Sequence, residues 1–495
     1  MAKTSTWTAL RNVSWAGLEA VSSVLVSFVA MLGIARLIGA SEFGLGALAI
    51  GITQIPGVIL GSLFHDALVR NPGIGRRQFD SAWTATLALS AVVTLVCVLL
   101  AEPLADFFRE PRFAVVFVVM ALILIPDSAI ATFTAERRRE LDFRLVTLQF
   151  VIARIVGALA GVLCAVGGLG VWSMVVQQWL TTIIGLSILF AKSPYRPRFL
   201  LVLDDLWPMV RFTISIIATQ FVIQIAQRLM LIYVARIGDL TLAGYWGLAD
   251  RLVDAIQRTV TNALYHVSLS HFSKVQDDKV KLGSLVREAN AWLASFVFPG
   301  MILIAVTGPE IIDVLLGQDW VPAGLPVQVL AIGMIIQLRR LMDHVALNAL
   351  GRSDIAFKAY ALEATLALSA LFLLQPTTLL GIAIIRALQP AAGYGLIAYQ
   401  SRRQTGRSGW LDVADVGRDL LLILLVGVAV WWLHQEFGIM FGGLPQLVAS
   451  GLAAVAATLG AIALIRPALF VTAWSFLRRK HAAKKDATGE AAAEN

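Results

Sequence analysis

The chain of 495 residues is 58% hydrophobic, has a mean hydropathy of +0.78 and carries a formal net charge of +8. Its length alone would allow about three soluble domains, but this hydropathy excludes them. No run of Lys and Arg lies on a separate soluble segment, so the positive charge is expected to orient the chain in a membrane and attract anionic lipids. Nucleic acid is not expected as a partner.

Fourteen apolar segments follow one another along the sequence, and each reaches the roughly 20 residues that a helix needs to cross a bilayer. These spans 1 to 14 lie at residues 13–38, 44–69, 79–101, 113–133, 145–167, 171–191, 207–235, 241–266, 288–308, 325–349, 357–376, 379–400, 418–438 and 443–466. A backbone in hydrocarbon must satisfy its own hydrogen bonds, which predicts helices. The segments are apolar on all sides rather than alternating, which argues against a β-barrel. The predicted fold class is an all-α polytopic membrane protein with 14 transmembrane helices.

The basic residues predict the orientation of these spans. Most of the 40 Lys and Arg residues lie at the two termini or on alternate connections. The other connections hold Arg36, Arg109, Arg112 and Arg236. Because cytoplasmic connections hold the excess of Lys and Arg, both termini are expected in the cytoplasm.

The connections between spans are too short to fold into a catalytic domain. The sequence contains no HExxH, Walker lysine loop, GxSxG or CxxC motif, so neither an enzyme, an ATP-driven pump nor a cofactor is expected. Cys97 and Cys164 lie within spans 3 and 5, which argues against a disulfide or a metal site.

An internal repeat divides the chain. Residues 35–49 (ARLIGASEFGLGALA) and 235–249 (ARIGDLTLAGYWGLA) share identical residues without a gap, and a later echo relates RELDFR before span 5 to GRSDIAFK before span 11. Six spans per repeat predict two parallel six-helix repeats, a kind of transporter that holds its substrate between the halves. The predicted units are an N-terminal lobe (1–200), a C-terminal lobe (201–405), an additional helix pair (406–466) and a basic cytoplasmic tail without fixed structure (467–495). The helix pair has almost no internal charge and is expected to face lipid.

Ionisable residues inside membrane spans usually face the interior of the bundle, and the first two spans of each half hold the most polar residues. The candidates for a cationic substrate cavity are Arg228, Arg251, Arg258, Gln220 and Gln224. The candidates for ion coupling are Glu19, Asp254 and Asp250. Alternatively, Asp250, Asp254 and Arg258 form an i, i+4 ion-pair ladder that neutralises itself. Arg154 and Arg386 are expected to pack or snorkel.

Several segments together resemble the polysaccharide-exporter family, in its Wzx-type oligosaccharide flippase branch. They are ARLIGASEFGLGALA (35–49), RRRELDFRLVTLQF (137–150), GLGVWSMVVQQ (168–178), HFSKVQDDKVKLGSLVRE (271–288) and LLGQDWVPAGLPVQVLA (315–331). The resemblance implies a flippase that moves an undecaprenyl-pyrophosphate-linked oligosaccharide across the bacterial inner membrane by alternating access. It further implies a polysaccharide polymerase and co-polymerase as partners.

Three alternatives remain at this point. Two belong to the same superfamily, a lipid II flippase and an ion-coupled multidrug exporter. A membrane glycan polymerase or ligase is the third, and it would need a large outer loop.

Overall fold

The computed structural model describes residues 6–71, 73–440, 442–469 and 471, with side chains from residue 26 onward except at 212, 215, 216, 219, 223 and 266. Within these residues the fold is all-helical. The helices are α1 (Thr6–Ser62), α2 (His65–Arg70), α3 (Arg76–Phe108), α4 (Arg112–Leu122), α5 (Leu124–Arg139), α6 (Phe143–Val166), α7 (Trp172–Lys192), α8 (Leu203–Ile237), α9 (Leu240–Lys274), α10 (Lys279–Phe296), α11 (Phe298–Leu316), α12 (Gly324–Arg339), α13 (Leu341–Ala349), α14 (Ser353–Leu374), α15 (Leu379–Thr405), α16 (Gly409–Met440) and α17 (Leu444–Ile465), with a 3₁₀ turn at Gln318–Ala323. Most of the predicted tail lies outside the described residues.

By length and composition, 10 segments of the described chain can cross a membrane. The first runs from Val26 to Arg70, and its 45 residues exceed what one crossing needs. The helix α1 bends inside this segment at Gly39, whose φ of 79° is a left-handed value that glycine adopts without a steric penalty. Spans 1 and 2 were predicted on either side of this residue. The all-α membrane fold is therefore confirmed, while the number of fourteen crossings stays a prediction.

The two segments of the internal repeat pack directly against each other. A Cβ at Gly44 of α1 would lie 1.8 Å from the carbonyl oxygen of Leu240, and a Cβ at Gly244 of α9 would lie 2.0 Å from that of Ala40. The two contacts correspond residue by residue. Ala40 of α1 lies against Gly244 of α9, and Leu240 of α9 lies against Gly44 of α1. This reciprocity is that of a two-fold axis. Glycine at both positions lets the two backbones touch, as small residues do where membrane helices cross.

The segment between α7 and α8, where the first predicted unit ends, is fastened to α3. The Tyr195 hydroxyl donates to Asp80 at 2.8 Å, and the backbone N–H of Arg198 donates to the same carboxylate oxygen at 3.1 Å. The N–H of Leu200 donates to Thr84 Oγ1 at 3.1 Å. Burial, together with the bond to Asp80, raises the pKa of Tyr195, so the hydroxyl stays protonated and able to donate. This linker is thereby held along the surface of α3.

The last two helices do not lack internal charge, contrary to the expectation from sequence. Asp419 of α16 is 4% exposed and accepts a hydrogen bond from Arg339 of α12 at 2.8 Å and another from Arg466, just beyond α17. Asp415 accepts from Arg287 of α10 at 2.6 Å. Asp419 lies at the start of span 13 and Asp415 lies just before it, and the partners of both come from distant parts of the chain. One face of the pair is anchored to the C-terminal half, while apolar side chains such as Leu424 and Leu452 remain exposed on another.

Candidate functional site

A cavity of about 380 Å³ lies between α1, α6, α7 and α9. Its polar lining consists of Ser27, Gln54, Arg154, Gln177, Gln178, Arg251, Asp254 and Arg258. Its apolar lining consists of Phe28, Met31, Ile34, Phe43, Ile50, Met174 and Ala255. This volume is near the lower end of the roughly 300–1,000 Å³ of small-molecule sites. The cavity can therefore hold a small polar ligand or one polar part of a larger ligand.

The basic wall of the cavity is one face of α9. Arg251, Asp254 and Arg258 are three and four residues apart, so their side chains share one stripe of the helix. The Nε of Arg258 donates to Asp254 Oδ2 at 2.8 Å. This pair offsets its own charge, as the ion-pair alternative predicted for these two residues.

Arg251 is the cation of this wall that has no carboxylate partner among the described residues. Its guanidinium lies over the ring of Phe43, 5.5 Å from the ring centroid. The side chain is half-buried, and an uncompensated charge in such a position is costly. An anionic ligand in the cavity would offset that cost, and the planar guanidinium suits phosphate in particular.

Asp250 does not continue the predicted ladder. Its Oδ1 lies 3.8 Å from Nε of Arg386 on α15, so it faces the C-terminal half rather than Asp254. Two carboxylates four residues apart on a helix repel each other, and Arg386 supplies a charge of opposite sign to Asp250. Arg386 is half-buried and is also an ion-pair partner, a role that the sequence analysis did not assign to it.

The three candidates on α8 meet different surroundings. Arg228 donates to Gln54 Oε1 at 2.6 Å, and it approaches the cavity through this residue of its lining. Gln220 is exposed and Gln224 half-buried, and neither lines the cavity. Their spacing places the three residues on one stripe of the helix, but a stripe does not show which neighbour each turn of the helix meets.

The N-terminal wall holds residues that the sequence analysis did not select. Arg154 of α6 lines the cavity and donates to Ser27 Oγ at 2.6 Å, so it does more than pack or snorkel. Gln177 and Gln178 of α7 are half-buried beside it. The sequence signal that could have identified the two glutamines is their position next to each other in the otherwise mostly apolar span 6. Glu19, the first candidate for ion coupling, lies outside the residues whose side chains are described.

The fold is that of known membrane transporters. It is similar to a structure described as the lipid II flippase MurJ in an inward closed conformation, with a TM-score of 0.70 at 12% identity, covering 91% of this chain and 99% of that one. An inward-facing multidrug resistance MATE family transporter of the MOP superfamily gives a TM-score of 0.56 at 12% identity, covering 80% and 96%. This chain accordingly has a MurJ-like and MATE-like fold.

The family follows from the sequence comparisons. The model of the family described as "Polysaccharide biosynthesis protein" matches residues 34–324, more than half of the chain, and the chain belongs to that family. It is 25% identical to the succinoglycan biosynthesis transport protein ExoT of Rhizobium meliloti over 87% of each chain. It is 21% identical to the lipopolysaccharide biosynthesis protein WzxC of Escherichia coli over 78% of each. The resemblance to Wzx-type polysaccharide flippases is confirmed.

Proposed function

We propose that this protein translocates undecaprenyl-pyrophosphate-linked oligosaccharides across the bacterial inner membrane for polysaccharide biosynthesis. Support for a polysaccharide precursor comes from the names of the relatives, which refer to succinoglycan, lipopolysaccharide and, at 21% identity to the protein AmsL of Erwinia amylovora, amylovoran. The similarity to MurJ concerns the fold only, and it does not favour lipid II as the substrate of this protein.

The proposed architecture has fourteen crossings with both termini in the cytoplasm. The ten apolar segments become fourteen when the first is divided at Gly39 and the long helices α8, α9 and α16 are added. The lobes are residues 1–200 and 201–405, with 406–466 as the additional pair. The cavity lies between α1, α6 and α7 of the first lobe and α9 of the second, where alternating access would expose it to each side in turn.

The observation that carries the proposal is the uncompensated guanidinium of Arg251 in this cavity. Asp254 offsets Arg258 and Arg386 offsets Asp250, so Arg251 leaves the wall of α9 with a net positive charge. A small cationic drug would be repelled there, whereas a lipid diphosphate would be attracted. A buried hydrogen bond to a charged group contributes roughly 1.5–3 kcal/mol, which is about a 10- to 150-fold change in affinity.

The proposal is tested by flipping of a fluorescent undecaprenyl-pyrophosphate-linked sugar in proteoliposomes. Arg251→Ala is expected to slow flipping at least tenfold at equal protein content. Arg251→Lys restores part of the rate if charge alone matters, and little if the bidentate guanidinium is needed. The matched control is Arg403→Ala, on an exposed position of α15. Equal flipping by Arg251→Ala and Arg403→Ala would reject Arg251 as the phosphate site, and no flipping by the wild type would reject the function itself.

A further inference from the structure

The two walls of the cavity differ in chemistry. The wall formed by α9 holds charged groups, namely Arg251 and the pair of Asp254 and Arg258. The wall formed by α1, α6 and α7 holds Arg154 and, beside it, neutral polar groups. Of these, the amide oxygen of Gln54 already accepts from Arg228, and the hydroxyl of Ser27 accepts from Arg154.

Among the residues whose side chains the structure describes, none hydrogen-bonds to the side-chain amide of Gln177 or Gln178. Both side chains line the cavity and both are half-buried. The hydrogen bond at Gln177 involves its backbone carbonyl, which accepts from Thr181. Each amide offers two N–H donors and one carbonyl acceptor, and such groups are costly to keep in a partly desolvated place without partners. The pair therefore presents ready donors and acceptors to whatever enters the cavity.

The position of Gln177 is fixed by close packing between α6 and α7. A Cβ at Gly161 would lie 2.8 Å from Cβ of Gln177, and a Cβ at Gly157 would lie 2.7 Å from its carbonyl oxygen. Two glycines four residues apart let the helices approach at this turn. A side chain whose own stem is held by packing is suited to recognise a ligand geometry.

We propose that Gln177 and Gln178 bind hydroxyl groups of the lipid-proximal sugars and so determine which glycans are accepted. This inference rests on the proposed function, in which Arg251 on the opposite wall binds the diphosphate. A sugar presents neighbouring hydroxyls that donate and accept at once, as an amide does. A site built to hydrogen-bond a hydroxyl discriminates strongly against a ligand that lacks it, because its polar groups are then left unpaired. The small cavity volume restricts this contact to the sugars next to the diphosphate.

The experiment compares binding of purified protein in nanodiscs to two kinds of lipid. One is undecaprenyl pyrophosphate without sugar, and the other is a panel of undecaprenyl pyrophosphates bearing glucose, galactose or N-acetylglucosamine. The wild type is expected to bind at least one sugar-bearing lipid tenfold or more tightly than the sugar-free lipid. Gln177→Met and Gln178→Met, which keep the volume of the stem, are expected to abolish that difference while binding the sugar-free lipid within twofold of the wild type.

Two controls separate the inference from the proposed function. Arg251→Ala is expected to weaken binding of every lipid in the panel by a similar factor, and Gln276→Ala, at an exposed position between α9 and α10, is expected to change nothing. The inference is overturned if the wild type binds the whole panel and the sugar-free lipid equally. It is also overturned if Gln177→Met and Gln178→Met weaken binding of the sugar-free lipid as much as they weaken binding of the sugar-bearing lipids. Unchanged binding by Arg251→Ala would instead remove the phosphate site of the proposed function.

Discussion

The contact between Gly44 and Gly244 is expected to hold one side of the cavity closed. Along α1, Ile50 and Gln54 of the lining follow Gly44 by about two and three turns, and along α9 Arg251 follows Gly244 by about two. The contact therefore lies between the cavity and the Gly39 end of the bundle, which is the outer end in the proposed topology. Transport to that side requires the two helices to separate.

Alanine at either glycine is expected to destabilise this closed state. A Cβ would lie 1.8 Å from the Leu240 oxygen or 2.0 Å from the Ala40 oxygen, so the backbones would have to move apart by roughly 1 Å to regain contact without overlap. Overpacking of this kind typically costs about 1–3 kcal/mol. If the open state lacks the contact, that cost shifts the equilibrium toward it by about 5- to 150-fold.

The assay is the labelling rate of Ala255→Cys, on the cavity lining, by a membrane-impermeant maleimide added from outside, with both native cysteines replaced. Gly44→Ala and Gly244→Ala are expected to raise the rate at least fivefold. The matched control is Gly61→Ala on the same helix, where a Cβ would meet nothing within 4 Å. Labelling of both variants at the rate of the control, at equal expression, would refute the closing role of this contact.

Three further predictions concern stability, coupling and topology. Glu363→Ala leaves the buried guanidinium of Arg340 without its partner and is expected to lower the free energy of unfolding by about 3–5 kcal/mol. In thermal unfolding in detergent, the double variant Arg340→Met with Glu363→Leu is expected to recover most of this loss. A double variant no more stable than Glu363→Ala would contradict the reasoning. Asp254→Asn is expected to remove the response of flipping to an imposed proton or sodium gradient in proteoliposomes, and a response that persists in both this variant and Asp250→Asn excludes these residues from coupling. Cysteine at Asp319 is expected to react with an impermeant reagent in intact cells, and reaction only after permeabilisation would reverse the proposed topology.

Hydropathy was sufficient to predict an all-α membrane fold, because a backbone in hydrocarbon must satisfy its own hydrogen bonds. It did not reveal the interruptions inside single predicted spans, such as Ile123 between α4 and α5 or Val297 between α10 and α11. Both residues are apolar, so mean hydropathy does not mark them. The available signals were Pro126 and Pro299, which follow closely and lack the backbone N–H that a continuous helix uses. The charge within α16 was likewise missed, because Asp419 is stabilised by Arg339 and Arg466 and such long-range partners are invisible to a local window.

The site was predictable on one wall and not on the other. On α9, several charges at helical spacing identified Arg251 and Arg258 as cavity residues, and both line it. On α6 and α7 the polar residues are isolated in apolar spans, so Arg154 and Gln177 gave no stripe to follow. Their significance arises from the meeting of helices more than 100 residues apart in sequence, as in the bond from Arg154 to Ser27.

The attachments of the linker and of the last two helices restrict where the molecule can bend. Bonds from Tyr195 and the backbone of Leu200 fasten the linker to α3 almost to its end. Asp419 fastens α16 and the end of α17 to α12, so this pair is expected to move with the second lobe. The start of α8 is also tied to the first lobe, because Asp205 accepts from Arg77 at 2.8 Å and the Thr213 hydroxyl donates to the carbonyl of Leu63 at 2.8 Å. Relative motion of the proposed lobes is therefore expected in α8 beyond Thr213 and at the glycine contact of α1 with α9. In the proposed mechanism, alternating access between the two lobes would require both a bend in α8 and separation of this contact.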